Sequence, residues 1–300
     1  KEPLGLQGEV SETLKMLRSR GTPLILGLRD VMDEPELLVP EWERKHVIPA
    51  LEELYDELWI YGLPQFYDPL TGISIPEAIK RKTVYTGYLK YQVPDALGIK
   101  TDSLPDTPYI LVTAGGGGDG DALIDWVLSA YETGKEIPYP ALVVLGPFMQ
   151  PEHQENFINR IDKLRNVSSI TFASHIEHLM KNAVGVVAMG GYNTFCEILS
   201  FDKPSLIVPR TKPRLEQYIR ASRAQELGLL SMLNYDTGHN PQKMVTALRQ
   251  LTQQNRPSEI ILPGLLDGLQ NVNRLVGQNM AKATRSDVVK RSTNLLKSIN

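Results

Sequence analysis

The 300-residue chain is predicted to fold as α/β, in Rossmann-like, doubly wound parallel sheets. Three observations predict this. From residue 109 onward, short apolar runs alternate with segments of helical spacing. Two of the strand-to-helix junctions are rich in glycine. The apolar runs are also continuous rather than alternating with polar residues, as strands covered on both faces require.

Taken in order, residues 11–20 place Leu14 and Leu17 at helical spacing, with Ser11 as the expected N-cap and Gly21 as the stop. TPLILGLRD then reads as a buried strand and DVMDEP as a loop. A helix is expected over 41–57 from Trp42, Val47, Leu51, Leu54 and Tyr55, followed by strands at 58–62 and 82–89. The stretch from Lys90 to Pro108, with Pro94 and Pro105 inside it, reads as a linker.

Beyond the linker, strands are predicted at 109–113, 141–146, 168–172, 184–189, 205–209 and 229–233. Helices are predicted near 121–131, 152–164, 175–182, 193–200 and 215–227. Such an order implies right-handed crossovers and a parallel sheet. Two domains are therefore expected, over 1–95 and 96–300, the second ending in a C-terminal helix. The first offers about three strands, fewer than the usual ~4–6 of a sheet. It is expected to be the remainder of a larger domain whose start precedes Lys1.

Composition narrows the function classes. A net charge of −3 argues against nucleic acid as the main partner, since phosphate-backbone binding normally shows as a basic excess. Cys196 is the only cysteine, which fits a reducing cytoplasm, and no apolar run reaches the roughly 20 residues of a membrane span. Peripheral contact with the inner face of a membrane is compatible with this composition. No cofactor or metal is expected.

The chemistry is expected at the two glycine junctions. YILVT, AGGGGDG and then DALIDWVLSAYETG form a strand, loop and helix, an arrangement that binds phosphate in α/β proteins. The loop glycines let the backbone approach an anion, and the helix start presents free N–H groups with roughly half a positive charge. Gly115, Gly116, Gly117 and Gly118 are the candidate diphosphate ligands here. Gly115, Gly117 and Gly120 also match the dinucleotide fingerprint, but the acidic residue expected about 20 positions on is replaced by Gly146-Pro147. The second junction, VGVVAMGGYNTFCEILSFDKPSLIVPR, offers Gly190, Gly191, Asn193 and Thr194 at another helix start. Glu197 follows one turn later and has two readings. It either points back toward a ligand, or it completes a capping box with Thr194.

GGYNTFCEILSFDKPSLIVPR followed by LEQYIRASRAQELGL resembles the C-terminal domain of glycosyltransferase family 28, which is MurG-like. Further stretches, GLRD-x-x-D-E-P, TGYL and GGGGDG, are similar to those of bacterial proteins described as predicted glycosyltransferases. The resemblance runs from Lys1 to about Asn279 and is most specific over 190–217. It implies a GT-B fold, with two Rossmann-like domains facing a cleft and the first, acceptor-side domain incomplete. It also implies transfer of a sugar, N-acetylglucosamine or another hexose, from a nucleotide-diphosphate donor such as a UDP-sugar. Transfer would be inverting and metal-independent, in keeping with the lack of a DxD-like pair beside the phosphate site.

By the same resemblance, Glu197 binds the ribose, Glu216 and Gln217 contact the donor sugar, and Phe172 and Ala173 mark the nucleobase region. The family's usual His-Gln pair is Glu-Gln here. The Gly190–Thr194 helix start is expected to face the Gly115–Gly118 loop across the cleft, with Lys90 where the family often has an arginine. The general base is expected near the start of the first domain, so no catalytic residue is assigned. The partners implied are a nucleotide-sugar donor and an acceptor that is a lipid, a glycan or a small molecule. A UDP-sugar 2-epimerase of the same fold and a non-catalytic nucleotide-sugar-binding module are the competing classes.

Other candidates have a reading on each side. His175 and His178 could share a metal or simply face solvent. Arg210, Lys212 and Arg214 form a basic cluster or a solvated loop. Arg29, Asp30 and Asp33 form an acceptor-side edge or an Asp-capped turn. Cys196 and the three tryptophans read as core.

Overall fold

The computed structural model describes residues 3–5, 8–92, 107–116, 118–173, 175–235 and 239–297, with side chains to Lys282. Gly117 and most of the predicted linker lie outside the described residues. The chain divides into two compact units, Lys1–Leu89 with Gly264–Asn300, and Lys90–Pro263.

The first unit holds a three-stranded parallel sheet in the order β1 (Ile25–Arg29), β2 (Glu57–Tyr61), β3 (Thr83–Tyr85). Helix α1 (Ser11–Ser19) starts without the expected serine cap, since Val10 holds the N-cap position and no side chain bonds there. The single helix expected over 41–57 is two, α2 (Pro35–Arg44) and α3 (Val47–Leu54), separated at His46, which takes a left-handed φ of 50°. Pro35 in the first turn fixes an earlier start than apolar spacing suggested. Trp42, Leu51, Ile60 and Ile79, the last on α4 (Glu77–Arg81), are buried in this unit's core.

The C-terminal segment belongs to this first unit, whereas the sequence reading gave residues 96–300 to the second domain. Backbone pairing explains the difference. Tyr88 N donates to Leu265 O at 2.8 Å, Gly268 N donates to Tyr88 O at 3.1 Å, and Asn271 Nδ2 donates to Thr86 O at 2.8 Å. The contact is close because Gly268 lacks a Cβ; one added there would lie 2.5 Å from the carbonyl oxygens of Gly87 and Tyr88. The strand predicted over 82–89 is three residues long, and Leu89 forms an isolated antiparallel bridge with Asp267.

The second unit is a six-stranded, all-parallel sheet. Its strands are β4 (Ile110–Thr113), β5 (Ala141–Val144), β6 (Val167–Ile170), β7 (Gly185–Ala188), β8 (Ser205–Ile207) and β9 (Ser231–Met232). They lie in the order β6-β5-β4-β7-β8-β9, which is the doubly wound 3-2-1-4-5-6 order. Strands β4, β5 and β7 are buried along their whole length, as continuous apolar runs in a covered parallel sheet should be. The connecting helices are α5 (Asp121–Glu132), α6 (Pro151–Ile161), α7 (Ile176–Asn182), α8 (Tyr192–Ser200) and α9 (Glu216–Glu226).

Helix α10 (Pro241–Gln250) went unpredicted, although Asn240-Pro241 is a strong start signal. The Asn240 side chain accepts from Gln242 N at 2.9 Å, and proline fills the first helical position. It packs on α5, where the fully buried Trp126 donates its indole N–H to Asn240 O at 3.0 Å. The final helix, α11 (Gly268–Lys297), closes the chain. No helix among the described residues is long and apolar enough to cross a membrane.

Candidate functional site

Reversal of strand order between β4 and β7 creates a crevice at their C-terminal ends, the position where open α/β sheets bind ligands. Both glycine loops emerge there, one from β4 and one from β7. The sequence reading set them on opposite sides of a cleft. Sheet order instead seats them side by side on hydrogen-bonded neighbours, Thr113 pairing with Ala188 at the last register position.

The first loop follows the steric logic of its glycines. Gly115 turns the chain with a φ of 67°, which side chains disfavour. A Cβ on Gly120 would lie 2.0 Å from that of Ala114, so its absence lets α5 pack directly on the end of β4. Phe148, three-quarters exposed, donates its backbone N–H to Gly116 O at 2.9 Å and lays its ring beside that glycine. The sequence reading missed Phe148. Two carboxylates make this loop less cationic than expected: Asp119 pairs with Arg210, and Asp121 at the start of α5 pairs with His153.

The second loop is more open and has no carboxylate in its first turn. Gly190 has a φ of 80°, and a Cβ there would lie 2.7 Å from Ile207 Cγ2. A Cβ on Gly191 would meet nothing within 4 Å, so the backbone at the N-cap of α8 faces open space. Asn193 is exposed and Thr194 half-buried in the first turn, with no acidic residue among them. Beneath this turn lies Arg220, 1% exposed, whose Nη1 donates to Gly190 O at 3.0 Å and whose guanidinium sits 5.8 Å from the centre of the Tyr192 ring. Sequence spacing gave no sign of Arg220, because it is an arginine on what reads as the polar side of α9.

Helix α8 begins at Tyr192, with Gly191 as N-cap. Thr194 therefore stands inside the first turn and cannot cap it, which removes the capping-box reading of Glu197. Glu197 is half-buried, and its carboxylate has no hydrogen-bond donor among the described residues. Burial, followed by the negative charge of nearby Glu177, pushes its pKa up to about 7. Glu177 is itself buried and pairs with His175 Nδ1 at 3.1 Å; the His175 and His178 rings meet edge to face, 6.0 Å apart.

Downstream of β8, Arg210 gathers the predicted sugar-contact pair. Its Nη2 donates to Glu216 Oε1 at 2.8 Å, and its backbone N–H donates to Gln217 Oε1 at 3.2 Å. Glu216 is thus an ion-pair partner, while its other oxygen, Oε2, is buried without a donor. Phe172 is 62% exposed, and Ala173 half-buried, in the loop after β6 at the same edge of the sheet. Lys90 is exposed at the junction of the two units. In the first unit, Asp30 and Asp33 are buried. Asp30 accepts from Tyr88 Oη at 2.7 Å and Asp33 from Glu34 N at 3.1 Å, as structural groups do.

Comparison with known proteins gives the family and the fold. The chain is 25% identical over 241 residues to an uncharacterized glycosyltransferase of Methanosarcina acetivorans, matching 77% of this chain and 60% of that protein. A second, from Methanosarcina mazei, is 25% identical over 232 residues, matching 73% and 57%. Both relatives are archaeal, where the resemblance had pointed to bacterial proteins. The chain thus spans somewhat under two thirds of their length.

Among solved structures, the glycosyltransferase VinC in complex with DTDP superposes with a TM-score of 0.56 at 16% identity, covering 90% of this chain and 68% of that one. CalG4, the calicheamicin glycosyltransferase, gives 0.52 at 17% identity, covering 91% and 63%. At these identities the likeness is one of fold, and the fold class is GT-B. The glycosyltransferase family 28 C-terminal domain matches residues 109–259, from the start of β4 to the turn before the chain returns to the first unit. The chain belongs to glycosyltransferase family 28.

Proposed function

We infer that the protein transfers a sugar from a nucleotide-diphosphate donor to an acceptor hydroxyl, and that Lys90–Pro263 binds the donor. The observation that carries this reading is the switch point. A carboxylate-free glycine turn, Gly190–Gly191, opens into free space one helical turn before Glu197, a half-buried carboxylate with no donor among the described residues. A diphosphate fits the first feature and a ribose diol the second. Each hydroxyl-to-carboxylate bond is worth about 1.5–3 kcal/mol when the acceptor is ionised. VinC, of the same fold, has been solved with a nucleoside diphosphate.

The reaction breaks the bond between the anomeric carbon and the diphosphate and forms one to the acceptor oxygen, whose proton passes to a base. Negative charge grows on the leaving diphosphate, and N–H donors fixed at the start of α8 can stabilise it without reorganising. One such donor is worth about 2.7–4 kcal/mol in comparable sites. Direct attack of this kind inverts the anomeric carbon and needs no metal at the phosphates. In this reading Glu216 and Gln217 contact the donor sugar, for which the buried Glu216 Oε2 and the Gln217 Oε1 held by Arg210 N–H must become accessible, and Phe172 with Ala173 borders the base.

The test is calorimetry with UDP, dTDP and their sugars, followed by hydrolysis and transfer assays with UDP-N-acetylglucosamine. Binding and sugar transfer are expected. An altered sugar released without an acceptor would favour an epimerase, and binding without turnover across a broad acceptor panel would favour a binding module. Absence of nucleotide binding would remove the reading altogether.

A further inference from the structure

Arg210 holds more of this site together than its place in a basic loop suggested. It follows β8, yet its Nε lies 3.2 Å from Asp119 Oδ2 in the loop after β4. In the sheet, β7 stands between β4 and β8. An ion pair joining the loops of the outer two must therefore cross the C-terminal end of β7, where Gly190 and Gly191 turn. The arginine spans the mouth of the proposed diphosphate cradle.

Its two ionic partners are unequal. Glu216 is mostly buried and takes a well-formed bond from Nη2 at 2.8 Å, so that arm is firm. Asp119 is 55% exposed, and pairs of that kind are screened by solvent and contribute little. The Asp119 contact is also misaligned: Nε is buried and makes no hydrogen bond despite the short distance. A buried guanidinium N–H without an acceptor is an unmet demand, which an anionic oxygen in line with it would satisfy. The neighbouring acid is close enough to neutralise the charge but is not placed to use the donor.

We propose that Arg210 is a latch. Without ligand it ties the glycine loop down through Asp119; when a nucleoside diphosphate binds, Asp119 is displaced and Nε bonds a phosphate oxygen instead. Glu216 keeps the guanidinium in place throughout. Asp119 thus acts as a built-in competitor for the phosphate, and its removal should strengthen binding although it removes an ion pair. The hand-over rests on the nucleotide-binding reading above, whereas the latch itself does not.

The experiment uses the purified chain and its Asp119→Asn, Arg210→Gln and doubly substituted forms. Hydrogen exchange of the 114–123 segment without ligand should speed up in Asp119→Asn and to a similar degree in Arg210→Gln. Exchange unchanged in Asp119→Asn overturns the latch. Calorimetry with UDP should show Asp119→Asn binding threefold or more tighter and Arg210→Gln tenfold or more weaker. The double variant should bind no tighter than Arg210→Gln, and uridine should be indifferent to all three changes. Equal or weaker UDP binding by Asp119→Asn overturns the hand-over. If wild type binds no nucleotide, the proposed function fails, and inorganic pyrophosphate decides the hand-over. Tighter pyrophosphate binding by Asp119→Asn supports it, and absent or unchanged binding overturns it. Arg210→Lys keeps the charge without the fork, so it should fold like wild type and still bind UDP several-fold more weakly; wild-type UDP affinity in Arg210→Lys overturns the bond from Nε.

Discussion

Arg220 donates from Nη1 to the carbonyl of Gly190 at 3.0 Å, holding in place the turn proposed to cradle the diphosphate. Both groups are buried, so removing the donor leaves a buried carbonyl unsatisfied. Arg220→Met is expected to lower stability by about 1–3 kcal/mol in urea unfolding. It should also weaken nucleotide binding, because the turn loses its support and the site loses a nearby positive charge. Unchanged affinity would show that the turn holds itself.

The glycines separate packing from ligand access. Gly120→Ala would force a Cβ to within 2.0 Å of Ala114 Cβ, and should cost about 1–3 kcal/mol by displacing α5 from β4. Gly191 has a φ of −57° and open space around it, so Gly191→Ala should change stability by no more than about 0.5 kcal/mol. Its methyl group projects where the diphosphate is proposed, and UDP affinity should fall several-fold. Thermal unfolding and calorimetry on the same pair of variants check both statements.

In the first unit, Tyr88 Oη donates to the buried carboxyl of Asp30 at 2.7 Å. Tyr88→Phe is expected to destabilise the protein by about 1–3 kcal/mol, the range for a buried acceptor that loses its donor. Nucleotide affinity should be untouched, since neither residue belongs to Lys90–Pro263. A change in affinity would contradict the assignment of the donor site to that unit.

Glu197 ties stability to pH in an unusual direction. Its folded pKa, near 7, lies above the ordinary 4.5, so between those values the folded state holds a proton that the unfolded state has lost. Stability from this group is present in full below pH 4.5 and declines as pH rises through 7. Glu197→Gln should match wild type at pH 4.5 and be the more stable at pH 8, by about 1 kcal/mol once the partial exposure of the carboxyl is allowed for. Thermal unfolding at the two pH values checks the sign.

Much of the second unit was legible in the sequence, because covered parallel strands are continuous apolar runs and the helices between them show clear spacing. Five of the six strands of that sheet fall within the predicted segments, and β6 starts one residue early, at Val167. Strand order was not legible, since no local pattern states which strand lies beside which; the side-by-side placement of the two glycine loops therefore had to come from the structure. The units were misdivided for a related reason. The return of Leu265 and Gly268 to Tyr88 is a backbone contact between residues almost 180 apart in sequence, and backbone contacts leave little trace in side-chain type. Of the proposed site, residues that lie together in one stretch of sequence could be named from it, such as Gly190, Gly191 and Glu197. Those that act from beneath or across could not: Arg220 supports a carbonyl from a neighbouring helix, and Arg210 reaches a loop two strands away.

The most direct test of the donor site is UDP titration of wild type and Glu197→Gln at pH 6 and pH 8. With a carboxyl near pKa 7 that must be ionised to accept from the ribose, wild-type affinity should rise about tenfold between these values. Glu197→Gln should bind at least tenfold more weakly at pH 8 and show no such rise. Equal affinity of the two proteins at pH 8 would contradict the placement of the nucleotide at the β4–β7 switch point.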